Sequence, residues 1–331
     1  VRPVAGRLLH PRLEYRIGRD LWFVQTVAET LHSLPIRSLQ MLNLPRATSN
    51  FGSILQRQAD LTIEADNLTQ FRKNFYDHKK ERDSAILFPQ PMKGWVSEKV
   101  LVEDLVHNST PIAEFINDST ADGLKLRREL ASPLLRAFLK MVFLDNFVHC
   151  DLHSGNILVQ TFTVERKPSI VSQIFGNTES PGTQTKHQIV FLDAGIATSL
   201  KPNDQRNLRD LFRAVILNEG YEAGRLMVER ARYERCSQIP GCVDAFATGI
   251  EELVSEFHDR RKSGLTLGAV RIGSLLSRVL DLCRVYGVEI DPSMSSIVIS
   301  TLVLEGLGRS LEPNLNLIDF AVPFVLGRGR V

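Results

Sequence analysis

The sequence predicts an α+β fold in which a small N-terminal part with short strands precedes a larger, mostly helical part. Short apolar runs of strand length precede Gly195, and after it apolar residues recur at helical spacing almost without interruption. The 331 residues, 43% of them hydrophobic and 24% charged, are typical of a folded chain with one large two-part domain or about two domains. We place the boundary so that 1–105 and 106–331 form the two parts.

The predicted elements of 1–105 are strands and two long helices. An apolar pattern at helical spacing runs from Leu13 to Leu34 and stops at Pro35. A second helix is predicted from Gly52 to Phe75, with Glu64 in its middle. The segment from Val4 to Pro11 is predicted to be the end of a strand that runs into a turn. Two short apolar segments, Ala85 to Phe88 and Trp95 to Leu105, indicate strands of a small sheet.

Helices dominate the predicted elements of 106–331. Ser109 to Pro111 is predicted to begin one helix, and Pro133 either opens another at its first position or kinks one that starts near Asp122. The polar composition between Thr161 and Gln188 predicts a mobile surface insertion. Further helices are predicted near 203–218, 221–233, 243–260, 267–286 and 293–309, before a segment from Leu317 to Leu326 that is broken by Pro323.

Charge and cysteine content narrow the classes of protein that fit. The net charge of +2 gives no sign of a nucleic-acid surface. The four cysteines contain no Cys-x-x-Cys pair, which predicts free thiols in a reducing compartment, with Cys150 as a small space-filling side chain. No uncharged apolar run reaches transmembrane length, the nearest being Ile297 to Leu304. The stripe that includes Leu275 and Val279 fits either core packing or a membrane surface, so peripheral membrane association stays open.

Two short apolar runs, 157–159 and 189–192, are flanked by residues that have the spacing of a kinase catalytic loop and metal-binding turn. His149-x-Asp151 is followed by Asn156, then by a strand-length run and by Asp193-x-Gly195. A lone Asp-x-Gly is usually a turn, but here the residues occur in the order that phosphoryl transfer requires. The pattern predicts a two-lobed protein-kinase-like fold in which Asp151 orients or deprotonates the acceptor and Asn156 and Asp193 hold Mg²⁺ beside ATP.

Five segments together resemble the UbiB/aarF-domain atypical kinases, most closely the mitochondrial aarF-domain-containing kinase 2 branch. They are His10-Pro11, the run from Ile63 to Leu68, the loop from Phe147 to Asn156, the turn from Leu192 to Gly195, and the segment from Leu304 to Arg309. Aminoglycoside and choline kinases share the core of the loop. The run from Ile63 to Leu68, which contains Glu64, and the residue Gly195 favour the UbiB group. Since the chain begins with Val rather than Met, we expect a fragment that lacks the family's N-terminal part.

The resemblance also implies roles for other residues. Glu64 is the helix carboxylate that pairs with a basic nucleotide-binding residue, and Arg7 stands where the family has a lysine. Glu103, at the exit of the last small-sheet strand, is expected at the hinge beside the nucleotide. His153 either donates to a phosphate oxygen or holds the loop through a backbone contact. The family's Ala-rich loop and Lys-x-Gly-Gln extension do not occur, which predicts weak nucleotide binding by this segment alone.

The implied function is that of a mitochondrial kinase or ATPase, in the matrix or at the inner membrane, with ATP and Mg²⁺ as cofactors. Its family is tied to coenzyme Q (ubiquinone) biosynthesis and lipid metabolism, so coenzyme Q biosynthetic proteins and isoprenoid lipid are the implied partners. A pseudokinase scaffold that binds lipid or protein is the alternative, favoured by Arg7 and the missing loop. A small-molecule kinase ranks last, because the helices after Gly195 contain no obvious acidic cluster.

Overall fold

The computed structural model describes residues 3–33, 44–76, 84–165, 183–231, 233–262, 272–289, 292–315 and 317–327. Within them the chain has the predicted α+β fold. It divides into two compact units, a smaller one of Val1–Lys79, Phe88–His107 and Asp193–Ile196 and a larger one of Lys80–Leu87, Asn108–Leu192 and Ala197–Val331. The division into domains at 1–105 and 106–331 stays a prediction. The two units assign residues 80–87, 106–107 and 193–196 differently from it.

The elements of the described residues are numbered in chain order. The strands are β1 (Val4–Leu8), β2 (Ile86–Leu87), β3 (Pro91–Ser97), β4 (Val100–Asp104), β5 (Ser109–Pro111), β6 (Val148–His149), β7 (Ile157–Glu165), β8 (Thr183–Phe191) and β9 (Ala197–Thr198). The helices are α1 (Leu13–Ser33), α2 (Leu44–Gln58), α3 (Leu61–Tyr76), α4 (Ile112–Ile116), α5 (Ala121–Lys140), α6 (Pro202–Leu217), α7 (Gly220–Arg230), α8 (Cys242–Lys262), α9 (Ile272–Tyr286), α10 (Pro292–Leu311) and α11 (Leu317–Val325).

The smaller unit contains an antiparallel sheet of order β1-β4-β3. The predicted strand from Trp95 to Leu105 is in fact two strands, the end of β3 and all of β4, joined by a turn at residues 98–99. The prediction that Ala85 to Phe88 joins this sheet is wrong. Its strand β2 pairs in parallel with β8 of the larger unit, with Ile86 opposite Ile189. Both residues are buried, so the apolar segment pairs where its side chains are covered, and nothing in the local sequence specifies which sheet that is.

The predicted helix from Gly52 to Phe75 is broken into α2 and α3. The break lies at Ala59 and Asp60, where the Asp60 side chain accepts a hydrogen bond from the Thr62 backbone N–H at 2.9 Å. The backbone N–H of Leu61 donates to the Glu98 carbonyl at 3.0 Å. Since the first N–H groups of a helix lack partners within it, these two bonds fix a new helix start. Leu68 and Phe71 of α3 are fully buried, so α3 is a core helix of the smaller unit.

The larger unit contains a four-stranded sheet of order β2-β8-β7-β5. Strands β7 and β8 form a long antiparallel hairpin in which pairs run from Ile157 with Phe191 to Glu165 with Thr183. The prediction of a surface insertion from Thr161 to Gln188 is therefore wrong at both ends, because residues 161–165 and 183–188 belong to these strands. Residues 166–182 lie outside the described part of the chain.

The predicted helices of the larger unit correspond to α5 and α6–α10, with ends that differ by a few residues. Residues 267–271, where the fourth helix after Gly195 is predicted to begin, lie outside the described part of the chain. Helix α5 begins at Ala121 and contains Pro133, so this proline opens no new helix. The segment Ser109–Pro111 is strand β5 and directly precedes α4, which corrects the predicted helix start at Ser109. Pro323 lies within α11 and does not break it.

A π-helical turn, Met141–Asp145, follows α5 and leads into the loop that contains Asp151. It ends at Asn146, whose backbone is left-handed with φ of 50°. The Asn146 side chain donates to the Leu200 carbonyl at 2.8 Å and accepts from the Leu200 N–H at 3.1 Å. Arg209 of α6 also donates to the Phe143 carbonyl at 2.7 Å. These bonds fix the backbone that enters the loop.

The cysteines correct one further prediction. Cys236 and Cys242 form a disulfide, so the expectation of free thiols fails for this pair. Cys150 and Cys283 are free. The sequence spacing of Cys236 and Cys242 does not by itself predict a disulfide. Disulfide formation depends on how the folded chain places the two Cα atoms, which here lie 5.2 Å apart.

One helix among the described residues, α10, is long and apolar enough to cross a membrane, over Met294–Leu311. Half of that segment is buried inside the protein. It also carries a buried ion pair in which Arg309 contacts Glu305 at 3.0 Å. These features fit a core helix of the larger unit.

Candidate active site

The smaller unit brings together Arg7, Glu64, Glu103 and Asp193, which we call the charged cluster. Arg7 extends from β1 and forms an ion pair with Glu64 of α3. Its second amino group contacts Asp193 Oδ2 at 2.7 Å. One guanidinium therefore bridges two carboxylates that lie 57 and 186 residues away in the chain. The planar fork of arginine allows this, whereas a lysine has a single ammonium group at its end.

Glu103 joins the charged cluster through the register of the small sheet. Leu101 of β4 lies opposite Arg7 of β1, so Glu103 is the diagonal neighbour of Arg7 on the same sheet face. Glu103 is 5% exposed, and within the described residues its Oε2 atom is buried with no hydrogen-bond partner. The charged cluster thus contains a carboxylate whose burial is not compensated by a direct bond at that oxygen.

Burial controls the protonation of the charged cluster. The pKa of Glu64 rises to about 7, mainly because burial disfavours the anion and because Asp193 repels it, while Arg7 acts in the opposite direction. The pKa of Glu103 also rises to about 7, through burial and then repulsion by Glu64. Burial opposes the charge on Arg7, but the hydrogen bond to Asp193 and attraction by Glu64 outweigh it and raise the Arg7 pKa.

The Asp-x-Gly turn at Asp193 has its own supports. Asp193 Oδ1 accepts a hydrogen bond from the Gly195 backbone N–H at 3.0 Å. Asn67 of α3 donates through its side-chain nitrogen to the Ala194 carbonyl at 2.8 Å. The sequence motif contained Asn67 but gave no role for it. The contact shows that α3 holds both the turn, through Asn67, and Arg7, through Glu64.

In the larger unit the residues His149–Asn156 form what we call the catalytic loop. His149 lies on β6 and is fully buried, and its Nδ1 atom accepts a hydrogen bond from the Asp151 N–H at 3.2 Å. Strand β6 pairs with β9, where His149 lies opposite Ala197. The buried imidazole therefore fixes the backbone from which the Asp151 side chain extends.

Asp151 and Asn156 contact each other directly. The Asn156 side-chain nitrogen donates to the Asp151 carbonyl at 3.2 Å and to its Oδ2 atom at 3.1 Å. The amide oxygen of Asn156 takes part in neither bond. The backbone carbonyl of Asn156 accepts from the N–H of Leu192, the residue before Asp193, at 3.0 Å. The start of β7 and the end of β8 are therefore held together at the loop.

One contact of His153 fits the structural role predicted for it. Its Nδ1 atom accepts a hydrogen bond from the Gly155 N–H at 3.0 Å and so caps the 3₁₀ turn Ser154–Asn156. Its Nε2 atom lies 3.8 Å from Asp151 Oδ2, and the side chain is half exposed. The backbone contact is the structural role, and the exposed Nε2 edge leaves the phosphate-binding role open.

Ser300 of α10 is a support that sequence reasoning missed. Its hydroxyl shares its single hydrogen between the Ser296 carbonyl at 2.8 Å, one turn earlier in the helix, and the Cys150 carbonyl at 3.2 Å, 150 residues away in the chain. No local signal marks this serine, since it lies in an apolar helix. Burial raises the pKa of the Cys150 thiol to about 11. This agrees with Cys150 as a space-filling side chain, because a protonated thiol is a poor nucleophile.

The donor atoms of Asn156 and Asp193 suit Mg²⁺, which prefers carboxylate and amide oxygens. The Asp193 side chain is 32% exposed. Both bonds from Asn156 to Asp151 use the side-chain nitrogen of Asn156, so its amide oxygen takes no part in them. One observation opposes metal binding, because the Arg7 guanidinium already contacts Asp193 Oδ2. In the described part of the chain, no group of three His, Cys, Asp or Glu side chains is arranged to hold a metal by itself.

Comparison with known proteins identifies the family. The model of the ABC1 atypical kinase-like domain matches residues 2–225, and that of the UbiB helical domain matches residues 260–316. The chain belongs to the ABC1/UbiB atypical kinase family. An ABC1 family protein from Schizosaccharomyces pombe, named as mitochondrial, is 33% identical over 97% of this chain and 47% of its own length. A mitochondrial ABC1 family protein from Saccharomyces cerevisiae is 30% identical over 97% of this chain and 50% of its own length.

The resemblance to UbiB/aarF kinases inferred from the motifs is thereby confirmed. Among solved structures, the complex of Rv3197 with erythromycin from Mycobacterium tuberculosis matches with a TM-score of 0.53 at 15% identity, over 97% of this chain and 72% of that one. At this identity the likeness concerns the fold alone. This ABC1/UbiB chain spans about half the length of the curated relatives that it matches.

Proposed function

We propose that this ABC1/UbiB chain uses Mg-ATP as a phosphotransferase or ATPase. The observation that carries the proposal is the ion pair between Arg7 of β1 and Glu64 of α3. In kinases a basic side chain on a small-sheet strand pairs with a helix glutamate and so positions the nucleotide phosphates. Arginine retains the charge and the hydrogen-bond donors that this role needs.

The remaining site residues also have proposed roles. Asp151 orients the acceptor hydroxyl or water and accepts its proton, because His149 fixes its backbone and Asn156 fixes its carboxylate. Asn156 and Asp193 are the proposed metal ligands. Mg²⁺, when bound, would neutralise charge on the phosphate oxygens. Glu103 is proposed to border the nucleotide, and the Nε2 edge of His153 to donate to a phosphate oxygen.

The proposed location is the mitochondrion, in the matrix or at the inner membrane, because the two fungal relatives are named as mitochondrial proteins. A link to coenzyme Q biosynthesis and lipid metabolism is part of the same proposal and rests on the family resemblance. Coenzyme Q biosynthetic proteins or isoprenoid lipid are the proposed partners. Family membership leaves the phosphoryl acceptor open, so hydrolysis of ATP is the activity to measure first.

A pseudokinase scaffold is the second candidate, and one contact favours it. Arg7 contacts Asp193 at 2.7 Å and so competes with a cation for the same carboxylate. If this contact persists with nucleotide present, Asp193 cannot act as a full metal ligand. The scaffold would then bind partners without turnover.

Phosphate release from Mg-ATP tests the first candidate. We expect slow, Mg²⁺-dependent turnover by the parent chain, and a rate lower by about 10²–10⁴-fold in Asp151→Asn, as for loss of a positioned base. Asp281→Asn, a change of the same kind at an exposed position of α9, should leave the rate unchanged. Turnover that survives in Asp151→Asn would refute the role of Asp151. ATP binding without turnover in the parent chain would favour the scaffold.

A further inference from the structure

A large cleft lies in the larger unit and shares no residue with the candidate active site. Its volume is about 880 Å³. Helices α6, α7, α9 and α10 all contribute to it, and their apolar side chains there include Leu211, Leu226, Leu276, Val279, Leu280 and Val298. None of these apolar side chains has an acidic, basic or nucleophilic group, so this lining suits binding rather than catalysis.

The size of this cleft needs an explanation. Protein interiors are packed about as densely as organic crystals, and cavities larger than a water molecule are few. The apolar side chains that line this cleft are shielded from bulk solvent, with Val279 and Val298 each 7% exposed, yet they do not fill the space between them. Pockets that bind small molecules commonly enclose about 300–1,000 Å³ and are lined mostly by apolar side chains. The cleft matches that class in volume and in lining.

The rim of the cleft is charged and partly fixed. It includes Lys201 and Arg206 of the α6 start, Glu229 and Arg230 of α7, and Glu289. Arg230 contacts Asp210 of α6 at 2.8 Å, which ties the two helices together beside the opening. Lys201, Arg206, Glu229 and Arg230 are exposed to water, so the rim can bind the polar end of a ligand whose apolar part lies in the cleft.

The wall formed by Val288 and Glu289 is held by backbone pairing to residues 233–235. The Glu289 N–H donates to the Tyr233 carbonyl at 3.0 Å, and Glu234 and Val288 form an antiparallel bridge. The disulfide from Cys236 to Cys242 links the same segment to the start of α8. A wall anchored in this way is preorganised, so little ordering of that wall opposes ligand binding.

We propose that this cleft binds the hydrocarbon chain of an amphiphile, with the polar head of the molecule at the charged rim. The apolar side chains from four helices bury the chain, and burial of methylene groups supplies the affinity. This inference rests on the proposed lipid partner and gives it a site. Because no lining residue belongs to the charged cluster or the catalytic loop, a failure of chain binding is distinguishable from a failure of nucleotide use.

Fluorescence titration of the full chain with cis-parinaric acid tests the proposal, since this polyene fatty acid is bright only in an apolar environment. We expect saturable binding with one probe per chain, and displacement by straight-chain primary alcohols. Each added methylene should strengthen displacement by about fourfold until the cleft is full, because burying a CH₂ group contributes about 0.8 kcal/mol. Absence of saturable binding, or displacement that does not depend on chain length, would overturn the proposal.

Paired tryptophan substitutions locate the bound chain. Val279→Trp on α9 places a large ring in the cleft, and the probe should bind at least tenfold more weakly. Val285→Trp makes the same change on the same helix outside the cleft, and binding should not change, since Val279 is 7% exposed and Val285 is 72% exposed. Circular dichroism and melting temperature establish that each variant is folded.

A second pair keeps the test decisive if Val279→Trp does not fold. Leu226→Trp fills the cleft from α7, and Leu217→Trp on α6 is its control outside the cleft. The proposal requires weaker binding in Leu226→Trp and unchanged binding in Leu217→Trp. Equal binding by the parent chain and by a folded cleft-filling variant would place the probe elsewhere and refute the assignment.

Discussion

The charged cluster of the smaller unit and the catalytic loop of the larger unit are stabilised by different interactions. In the charged cluster one partly exposed guanidinium faces three carboxylates, two of them nearly fully buried. In the catalytic loop, hydrogen bonds from a buried imidazole, an asparagine side chain and a serine hydroxyl hold the backbone. The proposed nucleotide-binding side chains are therefore held by charge, and the loop that carries Asp151 by hydrogen bonds and packing.

This difference predicts a different dependence on pH. The charged cluster holds two carboxyl groups with pKa values raised to about 7, so its energy changes across the neutral range. The bonds that fix the loop backbone are made by amide, hydroxyl and carbonyl groups, which do not titrate in the neutral range, and by the His149 imidazole. Substitutions in the two regions should thus have effects that differ in size and in pH dependence.

The largest effect on stability is expected from Arg7→Ala. Without the guanidinium, Glu64 and Asp193 repel each other, and the free energy of unfolding near pH 8 should fall by about 2 to 3 kcal/mol, slightly less than for a fully buried pair. Near pH 5.5 the loss should be smaller, because Glu64, with its pKa raised to about 7, is then mostly protonated. Urea unfolding at both pH values measures the effect.

Arg19→Ala is the control for Arg7→Ala. Arg19 pairs with Asp20 at 2.9 Å, but both side chains are more than 60% exposed. Its removal should cost well under about 1 kcal/mol at either pH. An equal loss of stability by Arg7→Ala at both pH values would contradict the electrostatic account of the charged cluster.

A smaller effect with opposite sign is expected from Glu103→Gln. The pKa of Glu103 is raised from 4.5 to about 7, so the folded state holds a proton that the unfolded state loses in that range. The stabilisation is present below the unfolded pKa and is lost as pH rises towards 7. The glutamine variant lacks this loss and should be more stable than the parent near pH 8 by about 1 to 2 kcal/mol.

The comparison for Glu103→Gln is Glu98→Gln, which changes an exposed glutamate in the turn between β3 and β4. Melting curves from about pH 5 to pH 8 should show a shallower decline in stability for Glu103→Gln than for the parent, and an unaltered decline for Glu98→Gln. Identical declines in all three proteins would show that Glu103 does not titrate in this range.

The smallest effect is expected at the catalytic loop. Ser300→Ala removes the donor to the Cys150 carbonyl and should lower the free energy of unfolding by about 1 kcal/mol, equally near pH 5.5 and pH 8. Ser310→Ala on the same helix removes a bond to the carbonyl four residues earlier, at 2.9 Å, but none to the loop. Its cost should be smaller. A marked pH dependence of the stability loss in Ser300→Ala would contradict the claim that the two regions are stabilised by different interactions.

The sequence predicts best those features whose residues are close together in the chain. The catalytic loop and the Asp-x-Gly turn are contiguous motifs, and the helices after Gly195 follow from apolar periodicity. The break between α2 and α3 also has a local signal, Asp60 followed by Thr62, but the longer apolar pattern hides it. Local chemistry therefore decides the elements, although competing patterns obscure some of their ends.

Features that depend on distant residues could not be predicted in this way. The pairing of Ile86 with Ile189, the Ser300 bond to Cys150 and the Cys236–Cys242 disulfide all depend on how the chain folds back on itself. The Arg7 contact with Glu64 was implied only by family resemblance. No sequence pattern indicated that Arg7 also contacts Asp193, because a strand position alone does not define where a long side chain ends.

The most direct test of Mg-nucleotide use is the melting temperature of the parent chain and of Asp193→Asn, with and without Mg-ATP. A ligand that binds only the folded state raises the melting temperature by mass action. We predict a rise of about 2 to 4 °C in the parent, equivalent to about 1.5 to 3 kcal/mol for a chain of this size, and no rise in the variant. No rise in the parent, or the same rise in both proteins, would contradict the proposal that this chain binds Mg-ATP through Asp193.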